Sequence, residues 1–189
     1  MVGTTEPLTR AAAEEPTLAS ATPYQGDLIK VRLDTVSLPN GKEITREIVE
    51  HPSSVCIVPV EADGNVLLVR QYRKAVESFL LEAPAGKMES GEDPHATALR
   101  ELQEEIGHTA GQLEPLGSFY VAPGWCSQMI HAYLARDLLS ARLDADEDEF
   151  IEVVRTPLAD VMALIADGTI RDAKSVASLL LAMRVLGDN

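Results

Sequence analysis

The chain reads as an α/β (α+β) protein built on a mixed β-sheet. Three observations predict this. Short strand patterns alternate with two or three helical ones. A fully apolar run at residues 54–60 has the pattern of a central strand buried on both faces. A glycine-bearing loop at residues 85–93 feeds a helix that carries clustered glutamates.

The N-terminal 23 residues are rich in Thr, Ala, Glu and Pro, which predicts a disordered tail. They lack the basic start and apolar stretch of a secretory signal. Residues 24–50 are expected to form N-terminal strands and residues 51–189 the main domain. Residues 27–38 alternate apolar and polar, with Ile29, Val31 and Leu33 on one face and Val36 and Leu38 on the other, which predicts a bulge or crossing near Thr35. Asn40-Gly41 is a hairpin signal, and residues 44–50 return. After the apolar run, residues 62–65 turn the chain and residues 66–70 form another strand. Arg73 and Lys74 bring positive charge at its end, and residues 78–81 form a short strand leading to Glu82. Asp93 caps a helix that starts at Pro94 and stops at Gly107, with Leu99, Leu102 and Ile106 inward. Strands are expected at residues 116–121, 129–135 and 150–154. Thr156 is expected to cap a helix starting at Pro157, with Leu158, Val161, Met162 and Ile165 inward. A last helix spans residues 172–186, with Val176, Leu179, Leu180 and Met183 on one side.

Composition narrows the function. The chain has 189 residues and a formal charge of −14, enough length for one domain with a real core and the wrong sign for a general nucleic-acid binder. No apolar run reaches the roughly 20 residues that span a bilayer. Cys56 lies in the apolar run and Cys126 stands apart from it, so no disulfide framework is indicated and a reducing cytoplasm is expected.

Glu101, Glu104 and Glu105 share one face of the glutamate helix. Like charges at i, i+4 cost roughly 0.2–0.5 kcal/mol on an exposed helix. A divalent cation removes that repulsion. Magnesium takes one or two carboxylates, keeps waters, and uses phosphate oxygens for the rest. A carboxylate face beside a glycine loop therefore suits a metal-bound diphosphate. The alternative, an ordinary solvated face, holds for Glu104-Glu105 alone and weakens over the whole spacing.

That spacing, Gly86, Glu92, Arg100-Glu101-Leu102, Glu104-Glu105 and Gly107, resembles the Nudix box, G-x5-E-x7-R-E-U-x-E-E-x-G-U, with U a bulky aliphatic residue. His108 departs from the pattern at the last, peripheral position. The resemblance implies the Nudix α/β/α sandwich and magnesium-dependent hydrolysis of a nucleoside diphosphate linked to another group, with manganese as a substitute. Glu101, Glu105 and the Ala85 carbonyl would hold metal, with Glu104 beside them. Arg100 would orient the glutamates together with Glu92, or pair with Glu104 as a solvated helix arginine, or both.

Further similarity points to the ADP-ribose pyrophosphatase subfamily. It rests on Ala122-Pro123-Gly124, on residues 81–86, on residues 69–73, and on Tyr24-Gln25-Gly26 and Arg46-Glu47-Ile48. It implies a homodimer that exchanges its N-terminal strands, with Arg46, Arg73 and Pro123 at the substrate and Glu82 at the substrate or the metal. A glutamate of the acidic loop 144–149 would activate water, Glu147 first and Glu149 next. Two positions depart. Gln128 replaces a glutamate, and Asp27 replaces an aromatic, leaving Tyr24 or Trp125 to stack on adenine. The expected activity is conversion of ADP-ribose to AMP and ribose 5-phosphate. The alternatives are a pyrophosphatase for other nucleoside diphosphate sugars and a non-catalytic nucleotide sensor.

Overall fold

The computed structural model describes residues 14–144 and 150–187. Its first unit is a three-stranded antiparallel sheet, β1 (Thr17–Gln25), β2 (Lys30–Ser37) and β3 (Glu43–Glu50), in that order. The β2–β3 connection turns at Asn40-Gly41, where Gly41 adopts φ +80° and the Asn40 side chain accepts the Lys42 N–H. Composition predicts a disordered tail through Pro23, yet residues 17–25 form β1. Its side chains are exposed throughout, and it is held by backbone pairing to β2 and by a Ser20–Asp34 hydrogen bond of 2.7 Å. The irregularity expected near Thr35 lies opposite it, on β1, where the register shifts between Thr17 and Ala19, the partners of Val36 and Thr35. β2 and β3 pair without interruption from Lys30–Glu50 to Ser37–Glu43, and the register shifts fall on β1. The apolar pattern breaks because Asp34 is buried beside Val36, satisfied by Ser20 and by Arg32. Residues 122–127 belong to this unit.

The second unit comprises Pro52–Val121 and the described residues from Gln128 onward. In it, β4 (Ser54–Pro59) is buried at every position, as a strand covered on both faces must be. Its sheet adds β7 (Ala85–Lys87), β8 (His108–Tyr120) and β9 (Met129–Ser140) in the order β7-β4-β9-β8, with β4 and β9 parallel. A second, antiparallel sheet orders β10 (Glu152–Pro157), β5 (Asn65–Arg73) and β6 (Ser78–Glu82) as β10-β5-β6. Three helices complete the unit: α1 (Pro94–Glu105), α2 (Val161–Ala166) and α3 (Ala173–Gly187).

Alternation along the strands divides the core between the helices. Val55, Ile57, Leu67, Val69, Tyr133 and Ala135 pack with Ala98 and Leu102 of α1 and with Ile106, which follows it. Cys56, Val58, Val66, Leu68, Ile130 and Leu134 pack with Val161 of α2 and with Leu179 and Ala182 of α3. The result is the expected α/β/α sandwich with a mixed sheet.

Several boundaries differ from expectation. β8 starts at His108 rather than at Leu116, because it pairs with β9 along its whole length with one irregularity between Pro115 and Gly117. Thr156 and Pro157 end β10 instead of opening a helix. The Leu158 N–H donates to the Gly64 carbonyl at 3.0 Å, and a short 3-10 turn follows before α2. Met162 and Leu180, expected inward, are exposed, as is Phe150, which precedes β10. Among the described residues no helix is long and apolar enough to cross a membrane.

Leu134 sits on the central β9 with no exposure. Leu134→Ala is expected to cost about 2–5 kcal/mol of folding free energy through lost burial and a residual cavity. Chemical denaturation at neutral pH measures it.

Candidate active site

Helix α1 is aimed by its ends and by its apolar face. The Asp93 carboxylate accepts the Ala96 N–H at 3.2 Å and Pro94 occupies the start. Leu102, fully buried, fixes the rotation of the helix on the sheet. That rotation turns Glu101 and Glu105 toward β7, where each is only 6% exposed. Gly86 makes this approach feasible, since a methyl group at residue 86 would overlap the Glu101 carboxylate. Glu105 is seated in turn, its Oε2 accepting the Ala85 N–H at 2.9 Å.

Arg100 is the cation of the cluster. Its Nη1 donates to Glu101 Oε1 at 2.8 Å and to Glu104 Oε2 at 2.7 Å. Its Nε and Nη2 reach the two oxygens of Glu92 at 3.1 and 3.2 Å, and Nη2 also donates to the Lys87 carbonyl at 3.2 Å. Arg100 thus pairs with Glu104 one turn on and contacts Glu101 and Glu92 as well. The guanidinium holds the Glu92 carboxyl down at about 2, helped by the Glu89 N–H.

Hard oxygen donors thus line β7 from one helix face, and the backbone beside them is cleared by glycine. That donor set fits a divalent cation. Among the described residues no three His, Cys, Asp or Glu side chains form a ready-made cage. Glu101 and Glu104 lean on Arg100, and Glu105 leans on Ala85. A site that binds magnesium through few protein ligands, water and phosphate oxygens needs no such cage.

A second charged group lies at the ends of β5 and β6. Arg73 forks onto Glu82, with Nε to Oε1 at 2.9 Å and Nη2 to Oε2 at 2.8 Å. Glu82 is 2% exposed. Burial alone would raise its carboxyl, and Arg73 and Lys174 outweigh that and hold it at about 2. Lys174 donates to Glu82 Oε2 and, at 3.0 Å, to Asp172 Oδ1. Ser175 Oγ accepts the Ala83 N–H at 2.8 Å. Sequence reading singles out Arg73 and Glu82 and misses Asp172, Lys174 and Ser175. The available signal is a lysine in the first turn of a helix, where the dipole disfavours a cation.

Arg46, on β3 of the first unit, forks onto Glu15 at 2.9 and 2.6 Å. Pro123 sits in a turn in which the Trp125 and Cys126 N–H groups both donate to the Ala122 carbonyl, and Trp125 and Ser127 bond the Val49 backbone. Tyr24 and Trp125 are exposed. Gln128, on the second unit, donates to Ser54 Oγ at 3.1 Å. Glu147 and Glu149 lie outside the described residues.

The Glu82 group predicts an acid response. Its folded carboxyl lies near 2, below its ordinary 4.5. The stability it contributes is therefore complete above 4.5 and lost as pH falls toward 2. Glu82→Gln is expected to be less stable than the parent at pH 7, by leaving two cations without their carboxylate, and to lose less further stability between pH 4.5 and 2. Urea denaturation across that range measures both.

Comparison with known proteins agrees with this geometry. Residues 50–179 match the model of the NUDIX domain. An ADP-ribose pyrophosphatase from Bacillus subtilis is 41% identical over 88% of this chain and 91% of its own length. A methanol dehydrogenase activator from Bacillus methanolicus is 40% identical over the same shares. The crystal structure of an ADP compounds hydrolase superposes with a TM-score of 0.85 at 31% identity, covering 93% of this chain and 95% of that one. With its box built as a carboxylate helix on a glycine-cleared strand, the chain belongs to the Nudix family of hydrolases.

Proposed function

We propose that the chain hydrolyses the diphosphate of ADP-ribose to AMP and ribose 5-phosphate, as a magnesium-dependent cytoplasmic homodimer that exchanges its N-terminal strands. The observation that carries the reading is the seating of Glu101 and Glu105 against Ala85-Gly86, with Arg100 beside them. The 41% identity to a protein named ADP-ribose pyrophosphatase supports the substrate.

Hydrolases of this family generally use divalent metals. Glu101, Glu105, Glu104 and the Ala85 carbonyl would hold magnesium, which neutralises diphosphate charge and acidifies water when bound. The protein's own groups do the rest. Arg100 restrains Glu101 and Glu104, so that their oxygens keep one orientation as charge builds on the phosphates. Arg73 presents a guanidinium to the diphosphate, and Arg46 adds a second from the N-terminal strands. Glu147 takes the proton of the attacking water, with Glu149 as the alternative base.

A second reading, a pyrophosphatase for other nucleoside diphosphate sugars, is favoured by Asp27 and Gln128. Asp27 removes a stacking surface, and Gln128 is an amide bonded to Ser54 where an anionic base would stand. A panel of such sugars ranked by kcat/KM separates the two.

Purified protein with magnesium and ADP-ribose is expected to release AMP, followed by chromatography. Glu105→Gln and Glu147→Gln are each expected to lower kcat on the order of 100-fold. Full activity in Glu105→Gln removes the metal assignment. Full activity in Glu147→Gln moves the base to Glu149.

A further inference from the structure

The first turn of α3 is wired to the substrate-facing arginine. Asp172 caps the helix, its Oδ1 accepting the Ser175 N–H at 3.1 Å and its carbonyl accepting the Val176 N–H at 3.0 Å. Lys174 follows within that turn. A cation there opposes the helix dipole, so its position is set by something other than the helix. Its partners are the carboxylates of Asp172 and Glu82. Its side chain is 18% exposed, so these interactions are poorly screened.

Glu82 is the shared element. Arg73 engages both of its oxygens through Nε and Nη2, which leaves the Nη1 edge outside the fork. Arg73 keeps 37% of its side chain exposed while Glu82 keeps 2%. The pair thus presents a cation outward from a buried carboxylate. Without another cation, that carboxylate would largely cancel the field of Arg73. Lys174 approaches the same carboxylate from α3 and shares its charge. The group holds two cations against two carboxylates. Removing the lysine charge leaves it net negative, beside a site that takes an anionic substrate.

We infer that Lys174 is a positioning residue for substrate binding: acting through Glu82, it leaves the positive potential of Arg73 available to the diphosphate. The inference rests on the proposed function above. A purely structural clamp between α3 and the end of β6 is already supplied next door, where Ser175 Oγ accepts the N–H of Ala83, the residue after the strand. The ammonium is not needed for that tie.

Steady-state kinetics with ADP-ribose and magnesium test the inference. Lys174→Met is expected to raise KM about tenfold and leave kcat within about twofold, the signature of lost ground-state binding. Lys174→Gln, which keeps a donor without the charge, should behave like Lys174→Met and covers the case in which the methionine variant does not fold. Lys174→Arg should restore most of KM. In an Arg73→Ala background the lysine change should add nothing, because Lys174 acts through Arg73. An unchanged KM in both uncharged variants overturns the inference, and so does the same rise with and without Arg73. If the parent turns over no ADP-ribose, the assigned reaction fails, and the same variants are compared by calorimetric Kd for ADP-ribose. A weakening of about tenfold that depends on Arg73 then supports the inference, and its absence overturns it. A parent that neither turns over nor binds ADP-ribose overturns both.

Discussion

The site depends on bringing charged carboxylates against a strand backbone. Glu101 and Glu105 are nearly buried, and an uncompensated buried carboxylate is costly. Three local features make the arrangement stable. Gly86 provides the room that any side chain would fill. The Ala85 N–H supplies a donor to Glu105, and Arg100 supplies a guanidinium to Glu101. The rotation of α1 that permits all three comes from Ala98 and Leu102, packed without exposure against β4 and β5. Apolar packing thus sets the angle, and polar bonds hold the charges once there. The same logic explains why Arg100 also reaches the Lys87 carbonyl, since it ties helix and strand together at the point where the glutamates meet them.

Much of this is legible in the sequence because it is local. The cap at Asp93, the proline start and the inward Leu102 follow from spacing within one helix. The double-sided burial of β4 follows from its unbroken apolar run. What sequence reading misses is decided by partners far along the chain. Thr17–Gln25 has no apolar alternation and becomes a strand through backbone pairing with β2. Asp34 is buried within β2 because Ser20, on β1, bonds it from across the sheet. Pro157 ends a strand because the Gly64 carbonyl captures the next N–H. Lys174 reads as helix surface until Glu82, on β6, is seen to meet it.

The formal charge of −14 poses the question of how such a chain receives a diphosphate. Distance supplies part of the answer, since charges beyond about 8 Å across solvent are largely screened at physiological salt. The remainder lies in how cations are paired. Arg70, Arg136 and Arg155 each face a carboxylate on the surface. Arg46 does the same with Glu15, and because both groups are substantially exposed, that pair contributes little. Arg73 is a different case. Its carboxylate is buried and cannot leave, so its field toward solvent depends on how far that carboxylate is neutralised from behind. In this chain the neutralising charge comes from α3, an element whose own apolar face belongs to the core. The field that Arg73 presents to solvent is therefore coupled to the docking of α3. A change that shifts that helix should alter this field before it disturbs the carboxylates of α1, which are held from the opposite face of the sheet.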